Sequence, residues 1–139
     1  FAPRPAAEMP SILSCFDAAV VPLKRLELFQ GALPCKLFEC MGAGIPVVVS
    51  IGGEAKSLVE KANGGITIAP EDPQAMADAI LALWRNPELR KAIGQSGREY
   101  VLSHCSRQRA ADAIENLSTA ALSGKSGHPT TDVRTTLAS

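Results

Sequence analysis

The sequence predicts an α/β fold, a Rossmann-like parallel sheet with helices on both faces. Three observations predict it. Short apolar runs recur along the chain that are hydrophobic throughout rather than alternating, as strands buried on both faces are. Between them lie segments with apolar residues three and four apart, the helical period. The order strand, helix, strand, helix, strand, helix gives parallel strands joined by right-handed crossovers.

Each element has its own signal. Pro10 suits the first turn of a short helix through Ser11-Ile12-Leu13. Asp17-Ala18-Ala19-Val20-Val21-Pro22 reads as the first buried strand, ended by proline. A loop from Leu23 to Leu33 leads to Pro34, which opens a helix to about Met41, closed by Gly42 and Gly44. Ile45 to Ser50 is the second buried strand. Gly52-Gly53 turns the chain into a helix from Glu54 to Ala62, with Ala55, Leu58, Val59 and Ala62 on one face. Asn63-Gly64-Gly65 supplies the left-handed backbone that ends it. Ile66 to Ala69 is the third strand. Asp72-Pro73 and Asn86-Pro87 each pair an N-cap with proline at the first helical position, so two helices start there, with Met76, Ile80 and Leu83 as the buried stripe of the first. Ser106 caps a last helix, where Ala110, Ala113, Ile114, Leu117 and Ala121 repeat at helical spacing. After Leu122 there is little left to bury, so residues 1–122 form the folded portion and 123–139 are expected to be a mobile tail. Three strands are few for a self-sufficient domain of this kind, and the chain opens on Phe1. The expectation is a piece of a longer polypeptide, its domain incomplete.

Composition narrows the function. Fourteen basic residues cancel fourteen acidic ones, so no strong field draws nucleic acid to the chain. No apolar run approaches the roughly 20 residues a membrane-spanning helix needs. Cysteines at 15, 35, 40 and 105 form no C-x-x-C pair, and the only histidines are His104 and His128, so no metal site is expected. Reduced thiols in a cytoplasmic protein are the simplest reading.

Ligands of open parallel sheets bind at the carboxyl ends of the strands, which singles out the loops Leu23 to Lys36 and Ser50 to Glu54. On a helical wheel, Lys36, Glu39 and Cys40 share one face of the helix after Pro34, while Leu37, Phe38 and Met41 share the opposite one. A lysine in a first turn opposes the macrodipole by about 0.3–1 kcal/mol. It suits that position when an anion sits there to meet both the ammonium and the free amides. Spacing alone leaves a second reading open, an exposed Lys36–Glu39 ion pair. Gly42-x-Gly44 precedes a strand and so is no dinucleotide fingerprint, and no Walker loop is present. Asn116-Leu117-Ser118 matches a glycosylation acceptor formally, but on a helix and without a secretion signal.

The segment from Pro34-Cys35-Lys36-Leu37-Phe38-Glu39-Cys40-Met41 through Gly42-Ala43-Gly44-Ile45-Pro46-Val47-Val48 resembles the "P-S-K-x-F-E-x-M-A-x-G-x-P-V-V" stretch of GT-B glycosyltransferases of family 4, the group 1 glycosyltransferases. It is most like their bacterial surface-polysaccharide branch, such as the N-acetylfucosaminyl transferases. The likeness continues through Gly53-Glu54-Ala55, Gly65, Pro70 to Pro73, Asn86-Pro87 and Gly97-Arg98, over roughly residues 1–117. It implies an incomplete C-terminal, nucleotide-sugar-binding domain.

In the resemblance, the counterpart of Glu39 hydrogen-bonds the donor ribose, and amides at Cys35 and Lys36 hold the diphosphate. Gly31, Leu33 and Pro34 complete the implied donor site. Gly31 stands where many members carry a sugar-contacting glutamate, and Cys35 replaces a serine. The segment from Phe1 to Pro3 would lie near the base. The implied activity is retaining transfer of a hexosyl or N-acetylhexosaminyl group, without metal or other cofactor, from a nucleoside diphosphate sugar such as a UDP-sugar. The implied acceptor is a glycan or lipid-linked molecule held by an N-terminal domain that also carries the catalytic group, so no catalytic residue is assigned here. The expected location is the cytoplasm, peripheral at the inner membrane where the acceptor is lipid-linked. Two other functions fit the architecture: a nucleotide-sugar 2-epimerase, and a non-catalytic donor-binding subunit of a split transferase.

Overall fold

A computed structural model describes residues 3–122, so the expectations for Phe1, Ala2 and residues 123–139 lie outside the described residues. A 3-10 turn at Ala6–Glu8 leads into α1, Met9–Leu13. The strands are β1 (Ala19–Pro22), β2 (Val47–Ser50) and β3 (Gly65–Ile68). They pair in parallel in the order β1-β2-β3, with Ala19 opposite Val47 and Val47 opposite Gly65. The helices are α2 (Cys35–Gly42), α3 (Gly53–Ala62), α4 (Pro73–Arg85), α5 (Pro87–His104) and α6 (Arg107–Leu122). The parallel α/β architecture is the predicted one.

Strand pleating sorts the core into two halves. Val21, Val47 and Val49 face Leu37 and Met41 of α2 and Ala55, Val59 and Ala62 of α3. Val48 points the other way, onto Ala79 and Leu83 of α4 and Ile93 of α5. Only the central strand β2 is buried at every residue, because only it has helices over both faces and a strand on each side.

Three burial expectations need correction. In β1, Val20 is 41% exposed: it lies on the α4 face, and α4 packs mainly on β2 and β3 rather than on this edge strand. β3 is half-buried along its length, as the other edge of the three strands. In α4, Ile80 is 40% exposed and Ala79 takes its place in the core beside Leu83 and the half-buried Met76.

The caps follow the sequence. Asp72 accepts a hydrogen bond from the Ala75 amide at 2.9 Å, and Asn86 one from Leu89 at 3.0 Å. Asn63 ends α3 with φ 45°, in the left-handed region. Ser106 accepts from the Arg109 amide at 3.3 Å to start α6, whose residues 108–120 are all exposed except the half-buried Ala113.

Helix α5 ties the two core halves together. It passes the amino ends of β2 and β3, where a Cβ on Gly94 would run into the Gly44 carbonyl and one on Gly97 would stand 3.0 Å from the Gly64 Cα. Ile93 joins the α4 side, and Tyr100 and Val101 join the α2–α3 side. Arg98 donates to the Gly42 carbonyl at 2.7 Å, satisfying the last turn of α2. Arg90 donates to the Leu83 carbonyl at 3.2 Å and meets Asp17 at 3.3 Å. With the amino end closed in this way, the loops at the carboxyl end are left to carry a site.

Candidate functional site

The carboxyl ends of the strands are held level by short bonds. Leu23 donates its amide to the Ser50 carbonyl at 3.0 Å, and the buried Ser50 hydroxyl donates to the Ala69 carbonyl at 3.3 Å. The loop after β1 folds into a 3-10 turn at Glu27–Phe29 and docks on the start of α3. There the Glu54 amide donates to the Gln30 carbonyl at 2.9 Å. Gly53 makes the approach possible, with φ 65° and no Cβ to collide with that carbonyl.

The start of α2 lies on the far side of this loop. Pro34 sits at the N-cap and offers no side-chain hydrogen bond, and among the described residues its carbonyl accepts only from Leu37, at 2.9 Å. The amides of Cys35 and Lys36 are therefore first-turn donors without a protein acceptor among the described residues. Lys36 and Glu39 are both exposed, and neither makes an ion pair or side-chain hydrogen bond among the described residues. The ion-pair reading of Lys36–Glu39 thus finds no contact to support it.

Cys40 departs from the expected arrangement. It is buried with Leu37 and Met41 on the core face rather than standing beside Lys36 and Glu39, while Phe38 is only half-buried. Burial pushes its thiol above the ordinary range; the neighbouring Glu39 carboxylate adds to this and Lys36 opposes it.

Two cavities open at this end of the sheet. The larger, 670 Å³, lies between the β1–α2 loop and α3, with Gln30, Gly31 and Gly53 on one side and Lys56, Ser57 and Glu60 on the other. Its size falls in the range of about 300–1,000 Å³ typical of small-molecule sites. Of the predicted residues only Gly31 lines it; Leu33, Pro34, Cys35, Lys36 and Glu39 stand together on the α2 side, outside it. A side chain at Gly31 would meet nothing within 4 Å, so the position is open space. The smaller cavity, 160 Å³, is lined by residues that follow all three strands, Lys24 and Arg25 among them.

Sequence reasoning missed Gln30, which lines both cavities and also joins the loop to α3. Nothing in its neighbours marks it, because its role comes from a contact with a glycine 23 positions on. It missed Lys24 and Arg25 too, although two adjacent cations just past a strand's carboxyl end were a readable signal.

Residues 1–86 match the family profile described as glycosyl transferases group 1. A D-inositol 3-phosphate glycosyltransferase of Corynebacterium urealyticum is 30% identical over 105 residues, 76% of this chain and 23% of that protein. An alpha-D-kanosaminyltransferase of Streptomyces kanamyceticus is 28% identical over 109 residues, 78% of this chain and 27% of that protein. Among solved structures, sucrose-phosphate synthase from Thermosynechococcus elongatus shares the fold with a TM-score of 0.70 at 24% identity, over 81% of this chain and 27% of that one. The chain spans about a quarter of the length of these relatives. With the profile covering more than half of its residues, the chain belongs to the group 1 glycosyltransferase family.

Proposed function

We propose that the chain is the donor-binding part of a retaining glycosyltransferase. It binds a nucleoside diphosphate sugar, with UDP as the nucleotide, and the sugar passes to a glycan or lipid-linked acceptor in surface polysaccharide synthesis. The acceptor and the catalytic group belong to a preceding domain, so the 139 residues alone transfer no sugar. The enzyme works in the cytoplasm, without a metal or other cofactor.

The observation that carries this reading is the uncapped start of α2. Two amides without a protein acceptor among the described residues lie in the first turn that also carries the exposed Lys36, an arrangement that favours a bound diphosphate. Glu39, one turn on, exposed and without an ion pair among the described residues, is the residue we assign to accept from a ribose hydroxyl. The names of the relatives favour transfer over epimerisation. Likeness to the surface-polysaccharide branch rests on the Pro34–Glu39 segment.

Titration of uridine and UDP against the wild type, Glu39→Ala and Lys36→Ala tests it. Glu39→Ala is expected to weaken both ligands by about one to two powers of ten, the loss of a charge-assisted hydrogen bond of roughly 1.5–3 kcal/mol. Lys36→Ala is expected to weaken UDP and spare uridine. Unchanged affinities in a folded Glu39→Ala protein would sink the assignment.

A further inference from the structure

The loop after β1 carries the most exposed large apolar side chain among the described residues. Leu28, in the middle of its 3-10 turn, is 82% exposed, and Leu26 just before the turn is 49% exposed. At three residues per turn, Glu27, Leu28 and Phe29 point about 120° apart. Phe29 is half-buried and lines the smaller cavity, which turns Leu28 outward and Glu27 aside. The turn is held by its own backbone: Phe29 donates its amide to the Leu26 carbonyl at 2.9 Å, and Gln30 to that of Glu27 at 3.0 Å. An ordered segment therefore holds Leu28 out in water.

Two cations precede it in the same loop. Lys24 and Arg25 are exposed, and neither has an ion pair or side-chain hydrogen bond among the described residues. Glu27 is the only acidic residue between β1 and α2. An apolar tip with unpaired cations suits a bilayer with anionic headgroups. The leucines enter the acyl boundary, and the long stems of lysine and arginine reach back to the phosphates. A protein partner fits less well, because interface cores are enriched in aromatic residues and depleted of lysine. The one aromatic ring of this loop, Phe29, is turned inward.

We propose that the turn at Glu27–Phe29 is a membrane anchor: Leu28, with Leu26 behind it, enters the apolar boundary of an anionic bilayer while Lys24 and Arg25 meet its headgroup phosphates. The anchor sets the carboxyl end of the sheet against the headgroups, where a lipid-linked acceptor would lie. That use in transfer rests on the donor-binding reading; the docking itself does not.

The test uses the whole 139-residue chain with two kinds of vesicle, pure phosphatidylcholine and an equal mixture with phosphatidylglycerol. The chain is expected to sediment with the mixed vesicles and to stay in solution with the neutral ones. Lys24→Gln with Arg25→Gln should weaken binding to the mixed vesicles about thirtyfold, and Leu28→Ser about tenfold. All three residues are exposed, and circular dichroism checks that the variants fold. Fluorescence reports the orientation. Trp84, the only tryptophan, lies near the end of α4 at the amino side, where Arg90 bonds the Leu83 carbonyl and meets Asp17. Its emission should stay unchanged on vesicle binding, whereas Leu28→Trp should add a blue-shifted component. No binding to either vesicle, equal binding to both, binding that survives both changes, or a blue shift of Trp84 overturns the proposal. So does a dimer without lipid that Leu28→Ser abolishes, which would give the turn to a second copy of the chain. If vesicles bind and UDP does not, the donor reading fails and the anchor stands. If UDP binds and vesicles do not, the anchor fails and the donor reading stands.

Discussion

Glycines 31 and 53 lie close together in space around one loop yet demand opposite things of a side chain. Gly53 holds φ 65° under the Gln30 carbonyl, so Gly53→Ala brings both backbone strain and a collision. Gly31 has open space around it and no positive φ, so Gly31→Ala only restricts the unfolded chain. Urea denaturation should show Gly31→Ala neutral or more stable by about 0.4–1 kcal/mol, and Gly53→Ala less stable by more than that. Destabilisation at Gly31 equal to that at Gly53 would mean the loop is held differently. Cys40 carries the residue-scale lesson about reading a wheel. At the helical repeat it lies about 40° from Lys36 and about 60° from Leu37, so angle alone leaves it on the boundary. The sheet decides it, because α2 turns toward β2 the side centred on Leu37, Met41 and Cys40.

At the scale of elements, the signals that held were local ones. Asp72-Pro73, Asn86-Pro87 and Asn63 each act within one turn of their own helix, and each is found in its expected cap. Asp72→Ala and Asn86→Ala should each lower stability by about 0.5–2 kcal/mol, read as a shift in the urea midpoint. Asn→Gly at 86 should lower it by only a few tenths, which separates the cap from general disturbance of the helix. The signals that failed were those needing a partner from far along the chain. An apolar run shows that something must cover a strand but not how far the covering helix extends. Val20 and Ile80 were read as buried for that reason, and both are exposed because α4 packs mainly on β2 and β3 and turns Ala79 inward. The candidate site divides in the same way. The α2 segment was legible as a contiguous motif, whereas the cavities are made by Gln30 meeting Gly53 and by three strand ends meeting one another.

For the whole molecule, the buried Cys40 and the half-buried Tyr100 and Cys105 predict one direction of pH dependence. Burial raises Cys40 and Cys105 above the ordinary 9.0 and Tyr100 above 10.0; Glu39 adds to the shift at Cys40 and Cys105 to that at Tyr100, while Lys36 and Arg109 oppose the two thiols. Each is an acid whose neutral form is favoured in the folded state. Below about pH 8 all three are protonated in both states and take nothing from stability. As pH rises further, the unfolded chain releases these protons first, so stability should fall progressively from about pH 8 upward. A melting temperature that is flat or rising between pH 9 and 11 would contradict the burial of these side chains. Cys40→Ser should reduce the slope of the decline, since a hydroxyl does not titrate there.

The backbone contact between α5 and the amino ends of β2 and β3 has a consequence for how the chain can vary over evolutionary time. Where two backbones touch through Gly94 and Gly97, almost every substitution adds atoms with no room for them, so that end of the molecule is closed to change. The opposite end ends in loops whose side chains mostly face open space, and there new residues can be tried without disturbing either half of the core. A helix packed at the amino ends of the strands thereby sets where new specificities can arise.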